Sequence, residues 1–142
     1  MDRKEQIIEK LSLEPLPREG GYFRFISEFG DGAGMIYYLM TESSFSHLHK
    51  LTDDEVWTFL EGDVAVQTIV SKDGIIKEYL LDSDNRTSIV PKECFQATRI
   101  AKPEKGYSLF TTTMSPRYSD SMYIHGGDVE SMRENPRLKE LI

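Results

Sequence analysis

Two of the three histidines lie one residue apart in His47-Leu48-His49, and a glutamate follows at Glu55. In a strand, side chains at i and i+2 stand on one face. If the segment is extended, Phe45, His47 and His49 therefore share a face. Glu55, Trp57 and Phe59 share a face of the next apolar segment, and the polar Thr52-Asp53-Asp54 turn folds Glu55 back towards the imidazoles. Two nitrogens and a carboxylate on neighbouring strands are a donor set for a divalent transition metal. Without a metal, the same groups are a hydrogen-bonded histidine pair lining a polar interior. Spacing alone leaves both readings open. A carboxyl in a partly apolar pocket is hard to ionise, which suits Glu55, with His49, to proton transfer. The plainer role for Glu55 is an ion pair with Arg24 or Lys50.

Several other side chains join this group as expectations. Tyr22 and Arg24 share a parity, and an arginine among pocket aromatics binds a carboxylate or phosphate through two parallel hydrogen bonds. Its plainer role is to neutralise Glu55 or Glu19. Glu19, in the turn before Tyr22, is a pocket-rim group or a turn residue. Trp57 stacks on a substrate ring or fills the core. Cys94 is read as a buried, inert thiol, and His125 is given no role.

The elements that must position these residues are short. Ile7, Ile8 and Leu11 recur at helical spacing, which predicts an N-terminal helix over 3–12 ended near Pro15 and Pro17. Pro17 to Gly21 reads as a turn. Strands are predicted from Tyr22, over Met35–Met40, Phe45–Lys50, Glu55–Leu60, Val64–Val70, Ile75–Leu81, Ser88–Val90, Cys94–Ile100 and Tyr107–Met114. The Lys72-Asp73-Gly74 turn has the hairpin signature. Met35–Met40 is apolar throughout, as in a strand covered on both faces. The tail after Gly126-Gly127 reads as helical, with Pro136 interrupting it. Many short strands with helices at the ends predict an antiparallel sandwich or barrel.

The chain has 142 residues, 17 basic and 24 acidic, for a net charge of −7. That length fits one domain spanning 1–142. The acidic balance argues against a nucleic-acid partner. The longest apolar run, Met35 to Met40, is far short of the ~18 residues of a membrane span. One cysteine allows no intrachain disulfide. The charged N-terminus lacks a secretory pattern, so a cytoplasmic location is expected.

The pattern His47-x-His49, five residues, Glu55, six residues, Gly62 resembles the first cupin motif, with Thr41 in place of its leading glycine and one extra residue before the glutamate. Around Pro91 the second motif is looser: Glu93 stands for its glycine, Gln96 for its histidine ligand and Ile100 for its asparagine. Pro17 to Arg24 resembles the P-x-E-G-G-Y-[FY]-R signature of an uncharacterised cupin-like group. Ser46 to Trp57 resembles that group's S-x-x-H-[RK]-x-x-x-D-E-x-W block, and Val90 to Ala97 its V-P-x-x-x-[WF]-Q-A block. Met114 to Asp120 is similar to its late P-G-F segment, with Arg117 and Tyr118 in place of Gly and Phe.

The resemblance implies an all-β jelly-roll barrel with a central pocket, short terminal helices and a homodimeric assembly. It implies His47, His49, Glu55 and Gln96 as the ligands of a divalent ion (Zn, Fe, Mn or Ni). An amide oxygen in the fourth place weakens that set. It places Tyr118, a candidate general acid, and Asp120 at the barrel mouth. The function implied is binding of a small polar or anionic metabolite, with a sugar-type isomerase or epimerase using His49 and Glu55 as the leading form. The alternative is a non-catalytic binding or sensing module.

Overall fold

The computed structural model describes residues 1–142. The N-terminal helix α1 spans Arg3–Lys10, and the Asp2 carboxylate caps it by accepting a hydrogen bond from the Glu5 amide at 2.8 Å. It stops before the prolines because Ser12 turns the chain with φ of 53°. Glu14–Pro15 then forms β1, a short pairing with Tyr22 and Phe23 that the sequence does not signal.

The other strands are β2 Tyr22–Phe29, β3 Ala33–Met40, β4 Ser46–Lys50, β5 Glu55–Gly62, β6 Ala65–Val70, β7 Ile76–Leu81, β8 Thr87–Val90, β9 Phe95–Ile100, β10 Ser108–Met114 and β11 Ile124–His125. They form two antiparallel sheets, ordered β1-β2-β3-β10-β5-β8 and β11-β4-β9-β6-β7. The expected all-β double-sheet architecture is present. Tyr38, Met40, Trp57, Phe59, Leu81, Val90 and Phe110 pack between the sheets.

The chain ends cover the outer faces. Ile7 and Leu13 bury Leu39, Tyr107 and Leu109 on the first sheet; each such aliphatic burial contributes about 2 kcal/mol. Met35–Met40 is apolar throughout because Tyr38 and Met40 face the inter-sheet core while Leu39 faces the helix. Leu138 and Leu141 bury Leu48, Val70, Phe95 and Ala97 on the second sheet. The expected helical tail is mostly tight turns; its only α-helix is Glu130–Arg133.

Candidate functional site

The Pro17–Gly21 turn sets the site. Gly20 and Gly21 have φ of +94° and +77°, a region that side chains other than hydrogen strongly disfavour. A Cβ on Gly20 would collide with the Phe45 carbonyl, and one on Gly21 with the Tyr38 hydroxyl. The turn is clamped from inside: Tyr38 Oη donates to the Gly20 carbonyl at 2.6 Å, and Ser44 Oγ accepts from the Gly21 amide at 2.9 Å. This close approach carries Glu19 into the barrel, where its side chain is 14% exposed.

Glu19 meets Glu55 in a cavity of about 330 Å³. Its walls include Phe23, Phe25, Ile36, Tyr38, Trp57 and Met114, with Arg117, Tyr118 and Asp120 also lining it. Glu55 Oε1 accepts from the Trp57 indole N–H at 2.9 Å. The Trp57 ring is locked edge-on against Tyr38 and Phe110, with centroids 5.4 and 5.2 Å away. Trp57 is therefore both core and cavity wall.

Burial pushes both carboxyls up to about 7. For Glu19 the Ser46 hydroxyl partly opposes this; for Glu55 the charge of Glu19 adds to it. No lysine or arginine pairs with either carboxyl.

A directed chain of hydrogen bonds ends on Glu19. Ser88 Oγ donates to Gln67 Oε1, Gln67 Nε2 to Thr98 Oγ1, and Thr98 Oγ1 to Gln96 Oε1. Gln96 Nε2 donates to Ser46 Oγ at 3.1 Å, and Ser46 Oγ donates to Glu19 Oε2 at 2.8 Å. Because Thr98 occupies Gln96 Oε1, the amide must present its NH2 to Ser46 and to His49 Nε2, which is 3.3 Å away. His49 Nδ1 donates to the His47 carbonyl at 2.7 Å, leaving Nε2 as an acceptor. Burial lowers the His49 pKa, so the ring is held neutral. Its Nε2 lies 3.6 Å from Glu19 Oε1, behind the cavity wall, and Tyr123 stacks on its face at 5.0 Å.

Three sequence expectations are corrected. His47 and His49 do not converge, because β4 carries a bulge between Ser46 and His49 against β9. The extra residue breaks the two-residue alternation, so Ser46 and His49 reach the polar chain. His47 folds back over the turn, its Nδ1 donating to the carbonyls of Glu19 at 2.8 Å and Phe45 at 3.1 Å. Tyr22 and Arg24 point away from the cavity: Tyr22 packs beside the cluster under α1 and Arg24 is exposed, while Phe23 and Phe25 face inward. The arginine of the cavity is Arg117, with its guanidinium 5.0 Å above the Phe25 ring and 3.9 Å from Glu28.

The third correction concerns the metal set. His47 faces elsewhere, Gln96 offers its NH2 rather than its oxygen, and Glu55 is tied to Trp57. No three His, Cys, Asp or Glu side chains are arranged to hold an ion. The expected ligands do not fit a metal centre.

Tyr118 and Asp120 do line the cavity. Burial and the neighbouring Asp120 push the Tyr118 hydroxyl far up, so it holds its proton. Ser46, Tyr38, Arg117 and Tyr123 are absent from the sequence expectations. Ser46, within the S-x-x-H block, and Arg117, within the late block, carry a signal that could have found them.

Residues 5–123 match the family Cupin_5, described as Cupin superfamily (DUF985). The chain belongs to this cupin family. A hypothetical protein from Leishmania major superposes with a TM-score of 0.86 at 22% identity, covering 96% of this chain and 97% of that one. A protein from Shewanella oneidensis gives 0.86 at 24% identity, covering 99% and 98%. Oxalate decarboxylase from Bacillus subtilis gives 0.62 at 15% identity; the match covers 81% of this chain and 30% of that enzyme. These likenesses show the cupin fold. No curated protein matches the chain. Glu93 holds φ of 64°, a left-handed geometry that favours glycine.

Proposed function

We propose that this cupin is a small-molecule enzyme of the isomerase or epimerase type that moves protons within its barrel cavity. Glu55 and Glu19 are its acid–base pair, and His49 lies behind Glu19 as a positioning residue. The observation that carries this is the pairing of two buried carboxyls, each pushed up to about 7, on one cavity. A carboxyl poised near neutrality can give and take a proton at working pH. Ser46 pins one oxygen of Glu19 and Trp57 pins one oxygen of Glu55. Tyr118 and Asp120 also line that cavity.

The ligand is a small molecule with an apolar body and polar groups that reach the two carboxyls. Arg24, the arginine expected to bind an anionic ligand, faces away from the cavity. The reading takes the chain as a cytoplasmic homodimer. No metal-dependent step is included, because the donor geometry does not fit one.

Carbon-13 NMR of labelled glutamate carboxyls tests the pair. Two coupled carboxyls titrate in two steps that belong to the pair rather than to either residue. Two resonances should move with midpoints near 7, and Glu19→Gln and Glu55→Gln should each remove one. Midpoints in the ordinary carboxylate range for both would sink the acid–base reading. A binding or sensing module is the second reading, favoured by the neutral amides and hydroxyls of the inner polar chain. A co-purified metabolite whose NMR spectrum stays unchanged over hours with the protein would select it.

A further inference from the structure

The cavity joins features that the acid–base reading does not need together. Phe23, Phe25, Tyr38, Trp57 and Tyr118 line one side or another of it, while Glu19, Glu55 and Asp120 are its only acidic groups. Glu55 is only 9% exposed and lines the cavity, with one oxygen tied to the Trp57 indole. The only basic residue in the lining, Arg117, sits over the Phe25 ring and 3.9 Å from Glu28 and pairs with neither Glu19 nor Glu55.

We propose that the cavity is a site for an organic ammonium ion, held by the Glu55 and Glu19 carboxylates and enclosed by aromatic rings. Aromatic faces attract cations through their quadrupole, most strongly where water is excluded. A carboxylate in the same dry space adds a direct charge attraction that solvent screens weakly. Two carboxyls with no basic partner can supply, on losing a proton, the countercharge that an ammonium ion requires. Binding would ionise a carboxyl that is neutral in the empty cavity, so a proton leaves as the cation enters. The titratable and charged groups facing the pair are Tyr38 of β3, His47 and His49 of β4, and Arg117, Tyr118, Asp120 and Tyr123 of the segment after β10.

The inference rests on the proposed function only in taking the cavity as the ligand site. Calorimetric titration with three probes of nearly one shape tests it: choline, 3,3-dimethylbutan-1-ol and 3,3-dimethylbutanoate. Choline should bind about tenfold or more tightly than the alcohol, and the carboxylate most weakly. Below the midpoints near 7, titration in buffers of different ionisation enthalpy should show proton release with choline and none with the alcohol. Glu55→Gln should lower choline affinity towards that of the alcohol, while unchanged alcohol binding reports an intact fold.

Equal or tighter binding of the alcohol or the carboxylate, no binding by any probe at millimolar concentration, or an undiminished choline preference in Glu55→Gln would overturn the inference. The acid–base reading falls by a different result: ordinary carboxyl midpoints in the unliganded protein.

Discussion

Glu19 and Glu55 share one dry cavity, and the difficulty of ionising them there couples the site to stability. Below about pH 4.5 both are neutral in the folded and the unfolded chain alike. As pH rises from there to about 7, the unfolded chain loses these protons while the folded chain keeps them. Stability therefore falls through that window, by about 3 kcal/mol for a single group, and then levels. His49 acts with the opposite sign: below about 6.5 the unfolded chain takes up a proton that the buried ring refuses. Glu55→Gln keeps an acceptor for Trp57 and removes one ionisation. Urea denaturation should find the variant more stable than the parent above neutrality, with a flatter pH dependence. A variant less stable than the parent there would show that ionising Glu55 carries no such cost in the folded chain.

At the scale of elements, two turns with similar backbones separate conformational strain from steric fit. Gly74, in the β6–β7 hairpin, has φ of 82° with open space where a Cβ would stand; Gly20 has φ of 94° and faces the Phe45 carbonyl. Gly74→Ala should cost about 1 kcal/mol, from backbone strain alone. Gly20→Ala adds a backbone collision and should cost roughly 2–4 kcal/mol, displacing Glu19 as well. Denaturation midpoints of the two variants check the contrast, and equal midpoints would contradict it.

The loop before β10 hangs on Asp63, which is 3% exposed and accepts hydrogen bonds from the backbone amides of Glu104, Lys105 and Gly106. Asp63→Ala should cost about 2–4 kcal/mol, because it strands those donors. Fast amide exchange should appear at 104–106 in the variant.

At the scale of the molecule, the ends of the chain cover the outer faces of both sheets, but a stretch of the edge strands stays bare. Ile75, Tyr79, Leu80 and Ile89 are 55%, 46%, 53% and 61% exposed. They lie along a groove of about 900 Å³ lined by residues of β7 and β8. Exposed apolar edge residues of this kind are a template for association, and the proposed homodimer places this surface in its interface. Sedimentation should give twice the 16.3 kDa chain mass, and Leu80→Asp with Ile89→Asp should halve it without loss of far-ultraviolet circular dichroism. A monomeric parent at micromolar concentration would remove the dimer. No helix is long and apolar enough to cross a membrane.

Period-two patterning and turn residues were enough to locate nearly every strand, because alternation and Gly, Pro and Asp punctuation act over a few residues. The N-terminal helix was legible from its apolar spacing in the same way. Local parity failed at His47, where a bulge inserts one residue and reassigns the face. It also could not say which alternate residues of β2 face inward, since Arg24 and Phe25 are both compatible with a strand. That choice is made by packing across the barrel, where Phe23 and Phe25 meet the apolar interior.

Arg117 became the cavity's arginine, and Ser46 the link from Gln96 to Glu19, through contacts between segments far apart in sequence. The sequence by itself determined the strands, the glycine turn and the carboxyls available to a site. Only the tertiary structure decided which of them share a cavity, because burial and the loss of counter-ions depend on neighbours that no local pattern specifies.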